Sequence, residues 1–427
     1  MSKRIVLIGA GSALFTRGIL GSLVTDKRFA GYTLVLMDID PGILSVMESY
    51  AGRLVGDTRS PLKIEAETRL ARAVEGADYV ITTLAANDSR ARGLELEVPL
   101  SFGYHHSWGD TTGPSGVFRG LRHIPIFLDI AREMERSCPE AWLINITDPM
   151  AVLCRAVFLE TRTKMIGLCD GPPYFRIIIE QEILELPAGS LKVKMAGVDH
   201  QVWVLEMSRE GEDQYPEFRR KIDRLEKRFS VNKELFLSYG YFPIPGNEHI
   251  SEFFPYFLND QSTMREYGLT DMDIEWHRRR RGDKLKAVKA DLALPGPLVP
   301  DPLPPEEEVL EMILSLANDD KKEYVLSLPN RNLIANLPEY AVVEVPVRLG
   351  AGITQLPPVV MPLELTPPLL ASAVKDELTV RAALTGDKEL LFKAILACPL
   401  TKSVRQAREI TAAMLEAEKD FLPIQFV

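Results

Sequence analysis

The sequence predicts an α/β protein, a doubly wound parallel sheet followed by a mixed α+β C-terminal domain. Three observations predict it. A short apolar strand, Ile5–Ile8, runs straight into the glycine turn Gly9-Ala10-Gly11 and on into a helical pattern over Phe15–Val24. Strand and helix patterns then alternate, which builds parallel sheets through crossover helices. After about residue 190 the pattern changes to two alternating runs, Leu191–Val198 and Val202–Met207, that read as antiparallel strands. A strand, a glycine turn and a helix in that order make the first sheet Rossmann-like, with functional groups expected at the carboxyl ends of its strands.

Each element follows from local pattern. Thr33–Asp40 is β-branched and apolar and ends in acids, so it reads as the second strand. Thr68–Val74 is a short segment before Asp78–Leu84, the third apolar strand. Arg122–Ser137 has helical spacing, and Gly109–Gly116 before it reads as a glycine-rich loop. Ala141–Asn145 is a strand ending at Ile146-Thr147-Asp148-Pro149-Met150, and Lys164–Leu168 is another ending at Cys169-Asp170-Gly171-Pro172. The proline-rich Leu292–Pro305 reads as a loop or lid, and Glu306–Ala317 and Ser403–Asp420 as helices. The change of pattern divides the chain into residues 1–190 and 191–427.

Composition narrows the function. The chain has 427 residues, enough to bury a core without covalent staples. Its 50 basic and 60 acidic side chains leave a formal charge of −10, the opposite sign to that of a general nucleic-acid binder. The basic run Arg278–Arg281 reads as a solvated helix face. No run of 18 apolar residues spans a membrane. Four cysteines without a CxxC pair fit a reducing compartment, so a cytoplasmic location is expected.

Chemistry-bearing residues collect at strand ends. Gly9, Gly11, Ser12 and Ala13 can bring backbone N–H groups to a pyrophosphate at a helix N-terminus. Asp38 ends the second strand, where an acid can hold ribose hydroxyls and disfavour a 2′-phosphate. Asn87 follows the third apolar strand and can line the same cofactor. The plain alternative is a βα turn with solvated polar residues; the joint pattern favours NAD. Cys169 at a strand end and His200 after an alternating strand could share an open metal site whose remaining ligands come from substrate. Each taken alone is more often a core cysteine or a satisfied histidine. Asn145 and Asp148 lie in a polar turn, Arg119 follows the glycine-rich loop, and Asn247-Glu248-His249 reads as a helix start.

In order along the chain these motifs resemble glycoside hydrolase family 4, the NAD-dependent glycosidases. The resemblance rests on GAGS, RGLELEVPLSFG, GDTTGPSGVFRGLR, NITDPM, GLCDGP, GVDH, EHISEFFPYF and PNRNLIANLPEYAVVEVPV. It implies a NAD-binding Rossmann-like domain over 1–190 and a substrate-binding and oligomerisation domain over 191–427. It also implies a small-molecule glycoside substrate, homo-oligomers and no nucleic-acid or membrane partner. The mechanism it implies stands outside the two-carboxylate scheme: transient oxidation at sugar C3, loss of the C2 proton, elimination at C1, addition of water and re-reduction. Carried over by position, Cys169 and His200 match the ligands of a divalent metal, manganese. Asp170 matches the leaving-group acid, and Arg92, Arg119 and Asn145 match substrate-side positions. His249, with Glu248 beside it, is the candidate base, because a neutral imidazole can take a proton near pH 7. Asp148 stands where the family pattern has asparagine, and Asn332 where it has glycine. Several cationic side chains near these motifs (Arg90, Arg92, Arg119, Arg122, His105, His106) suggest a sugar with an anionic C6 group: a uronide, a 6-phosphate or a 6-sulfonate. A sugar dehydrogenase with net oxidation and a non-catalytic NAD sensor are the alternative classes.

Asp38 gives the first testable outcome. NAD is expected to bind more tightly than NADP in parallel titrations, because a 2′-phosphate would meet the carboxylate; tighter binding of NADP would contradict the assignment.

Overall fold

The computed structural model describes residues 3–86, 88–225 and 227–427. Among them, thirteen strands form one sheet. They are β1 (Arg4–Ile8), β2 (Thr33–Met37), β3 (Lys63–Glu67), β4 (Tyr79–Thr82), β5 (Trp142–Asn145), β6 (Lys164–Gly167), β7 (Lys192–Val198), β8 (Gln201–Arg209), β9 (Glu212–Asp213), β10 (Phe242–Ile244), β11 (Lys322–Pro329), β12 (Val342–Leu349) and β13 (Ile353–Gln355). The parallel part runs β3-β2-β1-β4-β5-β6, the doubly wound order. The sheet then continues through β11, β12, β7, β8 and β10 with antiparallel pairing. The expected α/β class and the antiparallel second half are what the structure shows, but the two halves share a single sheet.

The join depends on small residues. Gly167 at the end of β6 pairs with Ser327 of β11. A Cβ on Gly167 would lie 2.7 Å from the Ser327 Cβ and 2.9 Å from the Met150 sulfur, so only glycine lets the strands meet. One buried core runs through both halves, from Ile5, Val6 and Leu7 to Val343, Val380 and Ile410. A second core gathers Phe175, Phe218, Phe236 and Phe242 beneath β7, β8 and β10. Burial of this apolar surface is the main stabilising term.

Some boundaries differ from the sequence reading. β3, Lys-Ile-Glu-Ala-Glu, was not anticipated: it is a charged edge strand with little apolar content to mark it. Within the segment read as Thr68–Val74, the structure has a helical turn, Leu70–Ala73. The long helix starts at Gly113, not Arg122, so the end of the supposed loop is its first turns, with Pro114 pre-set for helix entry. Asn332 adopts φ 62°, a region asparagine tolerates better than most residues, which accommodates the loss of glycine there. The Arg278–Arg281 run lies on the helix Ile274–Ala293, where Arg279 pairs with Asp273 at 3.3 Å and Arg280 stacks over Trp276. No helix among the described residues is long and apolar enough to cross a membrane.

The proline-rich segment after that helix is a strap across the first two helices, Ala13–Thr25 and Pro41–Thr58. Arg53 donates to the Leu294 carbonyl at 2.6 Å and to the Gly296 carbonyl, the Leu298 N–H donates to Asp57 at 2.8 Å, and the Leu303 N–H to the Ser22 hydroxyl at 2.8 Å. Gly21 makes room for it, since a Cβ there would lie 2.4 Å from the Asp301 carbonyl oxygen. Gly21→Val is therefore expected to lose about 1–3 kcal/mol of stability to overpacking and to expose residues 294–305 to protease. Urea unfolding and limited proteolysis would check it; unchanged stability and an intact strap would contradict the packing argument.

Candidate active site

The glycine turn is built as a phosphate cradle. Gly9 sits at φ 88°, and a Cβ there would come within 2.9 Å of the Thr83–Leu84 backbone at the end of β4. The N–H groups of Gly9 and Ala10 donate to the Met37 carbonyl at 2.9 and 3.0 Å, which fixes the turn to β2. Ser12 occupies the helix N-cap and its side chain makes no capping bond; Ala13 begins the helix, whose first N–H groups have no intrahelical acceptor. Asp38 accepts from the Gly11 N–H at 2.8 Å and from the Asp40 N–H at 3.0 Å. Beside it Ile39 is 84% exposed, an apolar face at the place where a nucleotide base would rest. The turn, the carboxylate and the apolar face together fit a dinucleotide. Asn87 lies outside the described residues.

Three strand ends bring a second group together. Val198 pairs with Gln201 across β7 and β8, so Asp199 and His200 form the two-residue tip of a hairpin. Cys169 follows β6 and Asp148 follows β5. The Cys169 sulfur is 3.4 Å from His200 Nδ1. Asp199 Oδ1 lies 2.8 Å from the same nitrogen, and Asp148 Oδ1 lies 3.1 Å from His200 Nε2. Asp148 Oδ1, Asp199 Oδ1 and His200 Nε2 are nonetheless buried without an aligned hydrogen bond. Cys169, Asp199 and His200 offer ligand atoms within 4.8 Å of one another, and so do Asp110, His200 and His249. A thiol converging in one buried place with imidazole and carboxylate atoms that lack an aligned hydrogen bond fits a divalent cation. Burial pushes the Cys169 thiol well above its ordinary range despite the adjacent His200. Burial alone would lower His200, but the charges of Asp199, Cys169 and Asp148 outweigh it and raise its pKa well above the usual value.

His249 forms the opposite wall. Its ring centroid is 4.9 Å from that of His200 and 4.8 Å from that of Trp108. Its Nε2 is 4.0 Å from Asp110 Oδ2. Asp110 accepts from Trp108 Nε1 at 2.5 Å and from the Thr111 hydroxyl at 2.8 Å. Burial would raise the Asp110 pKa, but the charges of His249, His200, Arg92 and Arg119 hold it at about 2. Glu252 fixes the segment from below, accepting from the Trp108 and Gly109 N–H groups at 2.7 and 2.8 Å. The two base candidates are placed differently. Glu248 is exposed on the outer side of its helical turn, while His249 faces the cluster.

Other expected residues land differently. Asp170 is exposed, 4.0 Å from the Cys169 sulfur, and so borders the cluster. Arg92 is 3% exposed and spends its guanidinium on the carbonyls of Trp108 and Gly109 and on the Ser115 hydroxyl. It holds a loop, whereas the sequence reading put it on a sugar anion. Asn145, expected on the substrate side, is likewise engaged within the protein. It is fully buried; its amide oxygen accepts from Thr82 and Thr147 and its amide N–H donates to the Thr147 carbonyl, so it stitches the ends of β4 and β5. Arg119 donates from Nε to the Asp148 carbonyl at 3.1 Å. Arg122 donates to the Ala86 carbonyl at 2.9 Å and pairs with Glu95 and Glu418. His105 pairs with Asp271, and Arg90 stacks over Phe421.

Sequence reasoning missed Asp110, Trp108, Asp199, Glu252, Glu95 and Glu307. Glu95 is fully buried with Arg92, Arg119 and Arg122 within 4.0 Å, and each of these arginines grips a different loop carbonyl. The RGLELEVP stretch carried no signal that its Glu95 would be buried. Asp110 and Asp199 stood inside quoted motifs, GDTTG and GVDH, beside the residues that drew attention.

The sequence matches the Family 4 glycosyl hydrolase description over residues 4–185 and the Family 4 glycosyl hydrolase C-terminal domain over residues 195–401. The chain belongs to glycosyl hydrolase family 4. It is 28% identical to an alpha-galactosidase of Bacillus subtilis, covering 99% of each chain. It is 27% identical to an alpha-galacturonidase of Thermoanaerobacterium saccharolyticum, covering 98% of this chain and 96% of that one. Among solved structures, a 6-phospho-alpha-glucosidase from gut microorganisms, in complex with NAD and Mn2+, superposes with a TM-score of 0.88 at 20% identity over all of both chains.

Glu307 gives a pH outcome. Burial first, then the neighbouring charges of Asp170 and Glu306, raise its pKa from 4.5 to about 7. A carboxyl with a raised folded-state pKa costs stability as pH climbs from its unfolded value to its folded one, because the unfolded chain releases the proton first. Glu307→Gln is expected to be more stable than wild type at pH 8 and to lose that advantage below pH 4. Thermal melts at both pH values would check the sign; an advantage confined to acid would contradict it.

Proposed function

We propose that this protein is a NAD-dependent glycosidase that cleaves its substrate by transient oxidation at C3. The observation that carries the proposal is the convergence, along one edge of one sheet, of a dinucleotide turn, a cation-ligand cluster and the His249 imidazole. A hydrolase of the two-carboxylate type has no use for a dinucleotide turn. The NAD and Mn2+ in the similar 6-phospho-alpha-glucosidase support the same reading.

When bound, NAD accepts and returns the C3 hydrogen with its electron pair, and the divalent cation draws charge from the sugar's C2 and C3 oxygens. The chain's own residues do the rest. His249 receives the acidified C2 proton; Trp108 supports its ring face and Asp110 lies beside its Nε2. Asp170, at the exposed rim next to Cys169, is placed to protonate the departing C1 oxygen. Water then adds at C1, the proton returns to C2, and C3 is reduced again. The net change is hydrolysis, with NAD restored.

The substrate reading favours an anionic C6 group. Its support is the presence of alpha-galacturonidases and a 6-phospho-beta-glucosidase among the relatives. One observation favours a neutral hexoside instead: the Arg92 donors are consumed by loop carbonyls, and the alpha-galactosidase relative matches the chain end to end. Arg92→Ala separates its two roles. As a loop anchor it should lower kcat/KM for neutral and anionic substrates alike, by roughly tenfold or more for the loss of about 1.5–3 kcal/mol of charge-assisted bonding. A loss confined to anionic sugars would return Arg92 to the substrate pocket.

The route itself is tested in D2O. Sugar released by the holoenzyme should carry deuterium at C2, because the proton on His249 exchanges with solvent before it returns. Product free of deuterium at C2 would sink the elimination route.

A further inference from the structure

We propose that Lys375, on the helix Thr366–Thr385, is a positioning residue for the C2-proton step: from the C-terminal half of the chain it holds Asp110 in place beside His249. The proposal rests on the reading of His249 as the base and deepens it. Lys375 takes no direct part in that chemistry. It is 1% exposed; its ammonium lies 2.6 Å from the Asp376 carboxylate and donates to the Thr111 carbonyl at 2.9 Å. A lysine is seldom taken so far from water unless its charge is paired and its donors are used. Here the pair cancels its own charge, so what reaches the site is the grip on Thr111.

From Thr111 the path to the base is short. The Thr111 hydroxyl donates to Asp110 Oδ1 at 2.8 Å, and Trp108 Nε1 donates to Oδ2 at 2.5 Å. Both carboxylate oxygens are thereby oriented, and Oδ2 comes to lie 4.0 Å from His249 Nε2. On its other side Thr111 meets the first turn of the helix Gly113–Ser137, where a Cβ on Gly116 would lie 2.3 Å from the Thr111 carbonyl carbon. Bonded on one side and blocked on the other, Thr111 cannot turn without carrying Asp110 with it. A carboxylate fixed beside an imidazole orients the ring and stabilises the imidazolium that forms when the base takes its proton.

The same face of the helix reaches the opposite wall. Ser372 lies three residues before Lys375, so the two project from one side. Its hydroxyl donates to Gln201 Oε1 at 3.1 Å, and Gln201 directly follows His200 in the hairpin. Thr379, four residues beyond Lys375, seats the helix, since a Cβ on Gly120 would lie 3.2 Å from its methyl carbon. One helix therefore ties the Asp110 wall through Lys375 and the His200 wall through Ser372, and sets the spacing between them.

The test uses the full chain with NAD and Mn2+, and the 4-nitrophenyl glycoside that wild type cleaves fastest among α- and β-hexosides, hexuronides and hexose 6-phosphates. Removing Lys375 alone would strand the buried Asp376 charge, so the principal variant combines Lys375→Met with Asp376→Asn and removes the pair together. Its kcat is expected to fall at least about tenfold, within what a well-placed base contributes, while KM and the Kd for NAD stay near wild type. Lys375→Arg, which keeps the cation, should recover part of the loss. Thr111→Val, which leaves the lysine pair intact and cuts the link to Asp110, should reproduce it. Circular dichroism and melting temperature establish that each variant is folded. The isotope effect on kcat with C2-deuterated substrate should be no smaller than in wild type, because the C2 step is the one slowed. In an Asp110→Asn background, removing the lysine pair should cost much less than it does in wild type, because both changes act through one carboxylate. Undiminished kcat in the folded pair variant or in Thr111→Val, a smaller C2 isotope effect, or losses that multiply in the Asp110→Asn background would overturn the proposal. Deuterium at C2 of the wild-type product does not depend on Lys375, so such a failure leaves the glycosidase reading untouched, and failure of that reading shows in wild type alone.

Discussion

Four residues in register hold the two halves of this protein together. Gly167 of β6 faces Ser327 of β11, Ser327 faces Glu344 of β12, and Glu344 faces Gly197 of β7. The row has glycine at each end and a polar pair between. The Ser327 hydroxyl donates to Glu344 at 3.2 Å, and burial raises the Glu344 carboxyl to about 8. Through this row the parallel sheet continues into an antiparallel one. Two residues beyond Gly167 stands Cys169, and three beyond Gly197 stands His200. The row thus sets the distance between the two groups that define the cation cluster.

Around that cluster the supports are charged and buried. Glu95 gathers three arginines, and those arginines hold Trp108 and Gly109, Asp148, and Ala86 by their carbonyls. Lys375, on the helix Thr366–Thr385, adds a bond to the Thr111 carbonyl at 2.9 Å. Loops that must meet a ligand cannot be held by apolar packing alone, since their backbone groups need partners. Buried ion pairs of this kind contribute little net stability over an apolar core, yet breaking one is costly. Their gain here is a fixed geometry for Asp148, Trp108 and the cofactor edge.

Much of this was legible in the sequence. The Gly9–Ala13 turn, Asp38, Cys169 and His200 stand at strand ends, and strand ends are where a doubly wound sheet displays its chemistry. The fold class and the change of pattern near residue 190 followed from periodicity. What was not legible has physical causes. β3 alternates charge with small apolar residues and lies at the sheet edge, so it lacks the hydrophobic signal of β1 or β2. Arg92 and Asn145 stood in the right motifs, but a motif does not say whether a polar side chain faces the ligand or the loop behind it. Glu248 and His249 are adjacent on one helical turn, and only the structure shows which faces His200. The unity of the sheet depends on the contact of Gly167 with Ser327, 160 positions along the chain, which no local pattern encodes.

The central claim is that cleavage of the glycoside needs a redox cofactor that is not consumed. Its most direct measurement removes NAD from the purified protein and follows release of the aglycone, then adds NAD back in less than stoichiometric amount relative to sugar. The account predicts no cleavage without NAD, full multiple-turnover cleavage on its return, and no net accumulation of NADH. Cleavage by the stripped protein at an undiminished rate, or NADH accumulating in step with the sugar consumed, would contradict it.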